Sequence, residues 1–123
     1  MNRVEFIQHK GKEILRIDIS RCELEEIIAV VASTKKLLSV KPQQSVLTLT
    51  NVTDAKYNPA LNRVLKEFVL YNKPFVKAGA VVGVEGIRKV VFEAAIQFSG
   101  RAFHLSATEE EAKDWLVQQW EAK

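Results

Sequence analysis

The residues of this chain best suited by type to hold a ligand or accept a group lie in one short stretch. Thr50 and Thr53 offer hydroxyls, and Asp54, Lys56 and Tyr57 add a carboxylate, an ammonium and a phenol within a polar loop running from Asn51 to Asn58. Hydroxyls in and just after a strand commonly serve the neighbouring backbone, so phosphorylation of either threonine competes with a purely local role. Cys22 is expected in the first turn of a helix, where the dipole favours a thiolate. With no second cysteine to resolve an oxidised form, a half-buried small residue is the plainer reading. His9 and His104 are far apart in sequence and form no zinc-ligand spacing, and no Gly-x-Ser-x-Gly elbow occurs. The run from Gly79 through Gly83 to Gly86 is glycine-rich where a strand gives way to a helix, yet it fits neither the dinucleotide nor the P-loop spacing. Glu85 would repel an anion there, whereas Arg88 and Lys89 would attract one. The chemistry expected is binding: no catalytic residues, no metal ligands and no cofactor.

The elements that position these residues follow from periodicity. Val4 to His9 alternates, Lys10-Gly11-Lys12 supplies a turn, and Ile14 to Ile19 is a second β-rich run, which together predict an N-terminal hairpin. Ser20 with Glu23 reads as a capping box opening a helix, and Leu24, Ile27, Ile28, Val31 and Leu38 recur at helical spacing to about Val40. Pro42 stops it, Val46 to Leu49 is a third strand, and Asn58-Pro59 opens a second helix to about Asn72 with Leu61, Leu65 and Phe68 inward. Ala78 to Val84 suits a strand buried on both faces, its glycines at 79 and 83 leaving room for close helix packing. A third helix from about Gly86 to Ser99, a strand from Arg101 to Ser106, and a last helix opened by the box Thr108/Glu111 complete the chain. The fold class predicted is α/β, in the order β-β-α-β-α-β-α-β-α. It has a mostly parallel five-stranded sheet, an antiparallel hairpin at its edge and helices packed mainly on one face.

Some apolar residues exceed what that sheet needs. Phe92 and Ile96 make a second apolar line beside the core stripe of the third helix, and Leu70 lies opposite Phe68, one turn from Lys66. Grouped exposed apolar residues mark a contact surface. Phe92 and Ile96 fit either packing within the helix layer or a subunit or ligand interface, and Leu70 leans toward the interface. Trp115 and Trp120 are expected as one core anchor and one exposed edge.

The 123 residues form one domain, 1–123, with 47% hydrophobic and 27% charged residues, enough to build a core without metals or disulfides. No apolar run approaches the roughly 20 residues of a membrane span, and the expected location is cytoplasmic. The net charge of +3 is carried mostly by the middle of the chain, with Glu109, Glu110, Glu111 and Asp114 near its end. That modest excess argues against nucleic acid as partner, since most such charges are solvated faces.

The stretch Val46 to Asp54, the order of elements, and the closing Thr108-Glu109-Glu110-Glu111-Ala112-Lys113-Asp114-Trp115-Leu116 resemble STAS-type domains, in particular the SpoIIAA-like branch related to the sporulation anti-sigma-factor antagonist. The resemblance implies a non-enzymatic regulatory module with a protein partner, and a homodimer is expected. The alternative it implies is a carrier of a small apolar or lipid-like anionic ligand. In the antagonist branch a serine just after an aspartate is phosphorylated. Here Ala55 and Lys56 follow Asp54, so the hydroxyl of that switch is missing. The expected binding residues are Thr53, Asp54, Lys56, Tyr57, Leu70, Arg88, Phe92 and Ile96, arranged on the loop 51–58 and the two helices after it.

Overall fold

In the first hairpin, strand β1 (Val4–His9) turns through Lys10 and Gly11 into β2 (Lys12–Asp18), with His9 opposite Lys12 and Val4 opposite Ile17. Both loop residues have positive φ, +51° and +80°, as a two-residue connection between twisted strands requires. A computed structural model describes residues 3–55, 59–84 and 102–121. Within them follow α1 (Leu24–Leu38), β3 (Val46–Asn51), α2 (Pro59–Asn72), β4 (Val76–Val82), β5 (Ala102–Ser106) and α3 (Glu109–Glu121). The helix expected over 86–99, with Arg88, Phe92 and Ile96, lies outside the described residues, as do Lys56 and Tyr57.

The sheet runs β1-β2-β3-β4-β5, antiparallel between the first two strands and parallel elsewhere. Because successive side chains alternate between faces, Ile14 and Leu15, both fully buried, point to opposite cores. On one face Leu15, Ile17 and Ile19 pack with Ile27, Val31 and Leu38 of α1 and Phe68 of α2. On the other, Ile14, Leu47, Leu49, Ala78 and Ala80 pack with Ala112 and Leu116 of α3. Each such large side chain contributes about 1.5–3 kcal/mol through burial.

The start of α1 departs from the sequence reading. Its cap is Glu23, whose N–H donates to the Glu26 carboxylate at 3.3 Å. Ser20 instead donates both its hydroxyl (2.6 Å) and its N–H (2.9 Å) to Asp18, an acceptor only two residues away. Arg21, at φ +57°, keeps this stretch in a turn. Cys22 therefore precedes the helix, fully buried, and burial pushes its thiol pKa up, away from thiolate. The buried stripe is Ile27, Val30, Val31, Thr34 and Leu38. Ile28 is exposed, and the helix ends before Val40. Thr34 satisfies its hydroxyl by donating to the Val30 carbonyl at 2.9 Å.

The second expected box has its threonine half in place: the Thr108 hydroxyl accepts the Glu111 N–H at 3.2 Å. Thr108→Ala should cost about 1 kcal/mol, the usual worth of an N-cap, and Thr108→Asp should restore it. Urea titration of the two variants is the check. Both histidines anchor α3: His9 Nε2 lies 2.7 Å from an Asp114 carboxylate oxygen, and the His104 ring stacks on Trp115 at 5.1 Å. Trp115 is half-buried and Trp120 exposed, the division expected of the pair. No helix among the described residues is long and apolar enough to cross a membrane.

Candidate functional site

Parallel register carries Arg16 and Asp18 of β2 and Asn51 of β3 to the same face as α3, at the carboxyl ends of the strands. The first turn of α3 lowers Glu109 onto them. Arg16 donates from Nε to Glu109 Oε1 at 2.8 Å and from Nη2 to Oε2 at 2.9 Å, a two-pronged pair, and Asn51 Nδ2 donates to Oε2 at 3.0 Å. These bonds hold the Glu109 carboxyl below its ordinary pKa, Arg16 acting most strongly and outweighing the opposing effect of burial.

Asp18 forms a second centre. Burial acts to raise its pKa, but the Ser20 hydroxyl and N–H, with Arg16 and Arg3 nearby, outweigh it, and the net direction is downward. Arg16 Nη1 and Arg3 Nη1 each stand 3.8 Å from an Asp18 oxygen. Arg3 also donates to the carbonyls of Asp18 and Ser20 at 3.3 Å, tying the start of the chain to this cluster.

Asn51 links the cluster to the loop. Its Oδ1 accepts the Thr53 N–H at 3.0 Å and the Thr53 hydroxyl at 2.6 Å. The Thr53 carbonyl accepts the Arg21 N–H at 2.8 Å, and Val52 N–H donates to Val82 at 2.8 Å. Gly83 presses against Thr53 on the remaining side. Its lack of a Cβ thus makes room for a loop, where the sequence suggested room for a helix, because β4 ends level with the turn after β3. Asp54 follows with φ +54° and its side chain in solvent, and Ala55 N–H closes the turn onto Val52.

Chemically the cluster is saturated with internal partners. The Thr53 hydroxyl spends its proton on an amide oxygen and has no base among the groups bonded to it. Among the described residues no three His, Cys, Asp or Glu side chains gather as a metal site. Among its described residues the loop itself offers outward its backbone at 53–55 and the Asp54 carboxylate.

Of the expected binding residues, Thr53 and Asp54 come together here. Leu70 does not join them. It is 63% exposed, as its position opposite Phe68 implied, but α2 runs back toward the amino ends of the strands. At 1.5 Å per residue, Leu70 stands about 17 Å along the helix from Pro59. Lys56, Tyr57, Arg88, Phe92 and Ile96 fall outside the described residues. The sequence reading missed Arg3, Arg16, Asp18, Asn51 and Glu109. The usable signal was Arg16 and Asp18 set among Ile14, Leu15, Ile17 and Ile19, where a charge between buried neighbours needs a partner.

No protein-family model and no curated protein sequence matches the chain. Among solved structures it is similar to an uncharacterised protein of the DUF3478 family from Shewanella loihica, described as having a SpoIIAA-like fold. The TM-score is 0.75 at 14% identity, over 92% of this chain and 91% of that one. The five-stranded sheet with its antiparallel first pair, and the helices laid on it in this order, are a SpoIIAA-like α/β fold.

Proposed function

We propose that the chain is a non-enzymatic interaction module of the STAS type, which recognises a protein partner through the loop 51–58 and the start of α2. The observation that carries this reading is Asp54, displayed in solvent on a loop whose neighbours are pinned by Asn51, Arg21 and Gly83. Residues 51–55, held by these bonds before docking, lose little conformational freedom on binding, so their contacts convert more fully into affinity. The saturated cluster beneath it supports a display role over a chemical one.

A photo-crosslinking residue placed at Asp54 should capture a discrete protein adduct in cells of the source organism, and the same residue at Lys36, exposed in the last turn of α1 at the other end of the sheet, should not. Asp54→Lys should weaken binding of the captured partner about tenfold while changing stability by less than about 0.5 kcal/mol. An adduct of twice the chain mass would make the partner a second copy, and Leu70→Glu would then be expected to shift the chain to monomer in sedimentation equilibrium if the interface extends along α2. Equal, diffuse labelling from positions 54 and 36 sinks the proposal.

A further inference from the structure

The opposite end of the sheet carries the opposite charge. α1 and α3 begin acidic at the carboxyl ends of the strands, with Glu25 and Glu26 and with Glu109 to Glu111, while α1 ends on Lys35 and Lys36. Lys10, Lys12, Lys41, Lys73 and Lys77 lie on or near the turns at the amino ends. At this basic pole the hairpin, the connection into β3 and the end of α3 enclose a groove of about 410 Å³, lined by Phe6, Lys12, Glu13, Lys41, Val46 and Trp120 among others.

Its charges are unequally matched. Lys41 is neutralised by Glu13, 3.5 Å away, and lies 4.5 Å from the Phe6 ring centre. Lys12 and Lys77 have no carboxylate partner among the described residues. Their ammonium groups sit 5.8 and 5.7 Å from the ring centre of Trp120, which is itself 38% exposed. Those distances are at the outer limit of a cation–π contact, about 6 Å, so neither ammonium is firmly held and both can swing toward an anion. Two unmatched positive charges beside the Trp120 ring reinforce each other and attract an anion. The groove falls within the roughly 300–1,000 Å³ of small-molecule sites, far more than a bare ion fills.

We infer that this groove binds a planar organic anion, its ring against Trp120 and its acidic group on Lys12, while Lys77, which reaches the Trp120 ring without lining the groove, adds positive charge from beside that ring. Lysines act as point charges, so a phosphate monoester and a carboxylate satisfy the site by the same chemistry. The site is independent of the Asp54 loop, which lies at the other end of the strands.

Isothermal titration of the full chain with adenosine monophosphate and with 2-naphthoate tests this, with adenosine, inorganic phosphate and a glutamate-rich peptide as comparisons. At least one planar anion should bind saturably and about tenfold more tightly than all three comparisons. Which of the two binds names the acidic group. Lys12→Gln with Lys77→Gln should weaken it about tenfold or more, and so should Trp120→Ala, while Asp54→Lys leaves it within about twofold. No saturable binding, phosphate or the peptide binding as tightly as the planar anions, or unchanged affinity in the double lysine variant would each overturn the inference.

Discussion

Gly83→Ala should lower the thermal midpoint by about 10 °C or more, a loss of about 2–5 kcal/mol from a domain whose total stability is expected near 5–15 kcal/mol. Two costs add. At φ +94° an L side chain meets its own carbonyl, worth about 1–2 kcal/mol. A Cβ at this position would also lie 2.6 Å from the Thr53 nitrogen and 2.7 Å from its Cα, and overpacking of that kind costs about 1–3 kcal/mol. The obstacle is backbone, and it cannot retreat cheaply, because the Thr53 N–H and hydroxyl are bound to Asn51 and its carbonyl to Arg21. For the same reason, adding Thr53→Ala to the Gly83→Ala chain should not restore stability. Gly11→Ala is the matched control: its φ is +80° but nothing stands within 4 Å of the added carbon, so only the conformational cost of about 1–2 kcal/mol should appear. Differential scanning calorimetry of the three variants decides it. A Gly83→Ala midpoint within about 2 °C of the parent would mean that β4 does not end against the loop.

That glycine marks where sequence reasoning stops. Local patterns placed the hairpin, because Lys10-Gly11 between two alternating runs permits few other turns. They placed α2, because a proline can open a helix at no hydrogen-bond cost. The strand was legible from Val46 to Leu49 by its apolar and β-branched run, though it extends to Asn51, which the sequence places in the loop, and parallel pairing followed from the helices between strands. What periodicity does not carry is which turn meets which. Gly83 meets Thr53 and Glu109 meets Arg16 only after the strands take their register, and those two contacts define the candidate site. The Ser20 reading failed for a related reason. A capping box assumes that the helix offers the nearest acceptors and donors, and Asp18 offered a closer one.

The second large effect is expected at the pair that fastens α3 to the sheet. Arg16→Met should cost about 1–3 kcal/mol, because it removes both prongs on Glu109 and leaves that carboxylate Asn51 as its one hydrogen-bond partner among the described residues. The two side chains are 23% and 26% exposed, so the pair is neither a screened surface bridge nor a fully desolvated one. Its pH signature has a definite sign. Glu109 and Asp18 titrate lower in the folded chain than the values of 4.5 and 3.8 from which they start. The stability they contribute is therefore complete above those unfolded values and is lost as pH falls through the lower folded ones. Urea unfolding from pH 7 downward should show a steep acid limb in the parent, shallower in Arg16→Met and in Glu109→Gln, with a double-variant coupling of about 1–3 kcal/mol at pH 7. An unchanged acid limb with zero coupling would deny the pair any fastening role. The same substitution reaches the loop. With Arg16 gone Glu109 is less firmly placed, Asn51 loses a fixed acceptor, and the amide that Asn51 holds, Thr53 N–H, should exchange with solvent faster in Arg16→Met than in the parent. The Asp54 display would then loosen without any change at Asp54 itself, which separates the support of the loop from the surface it presents.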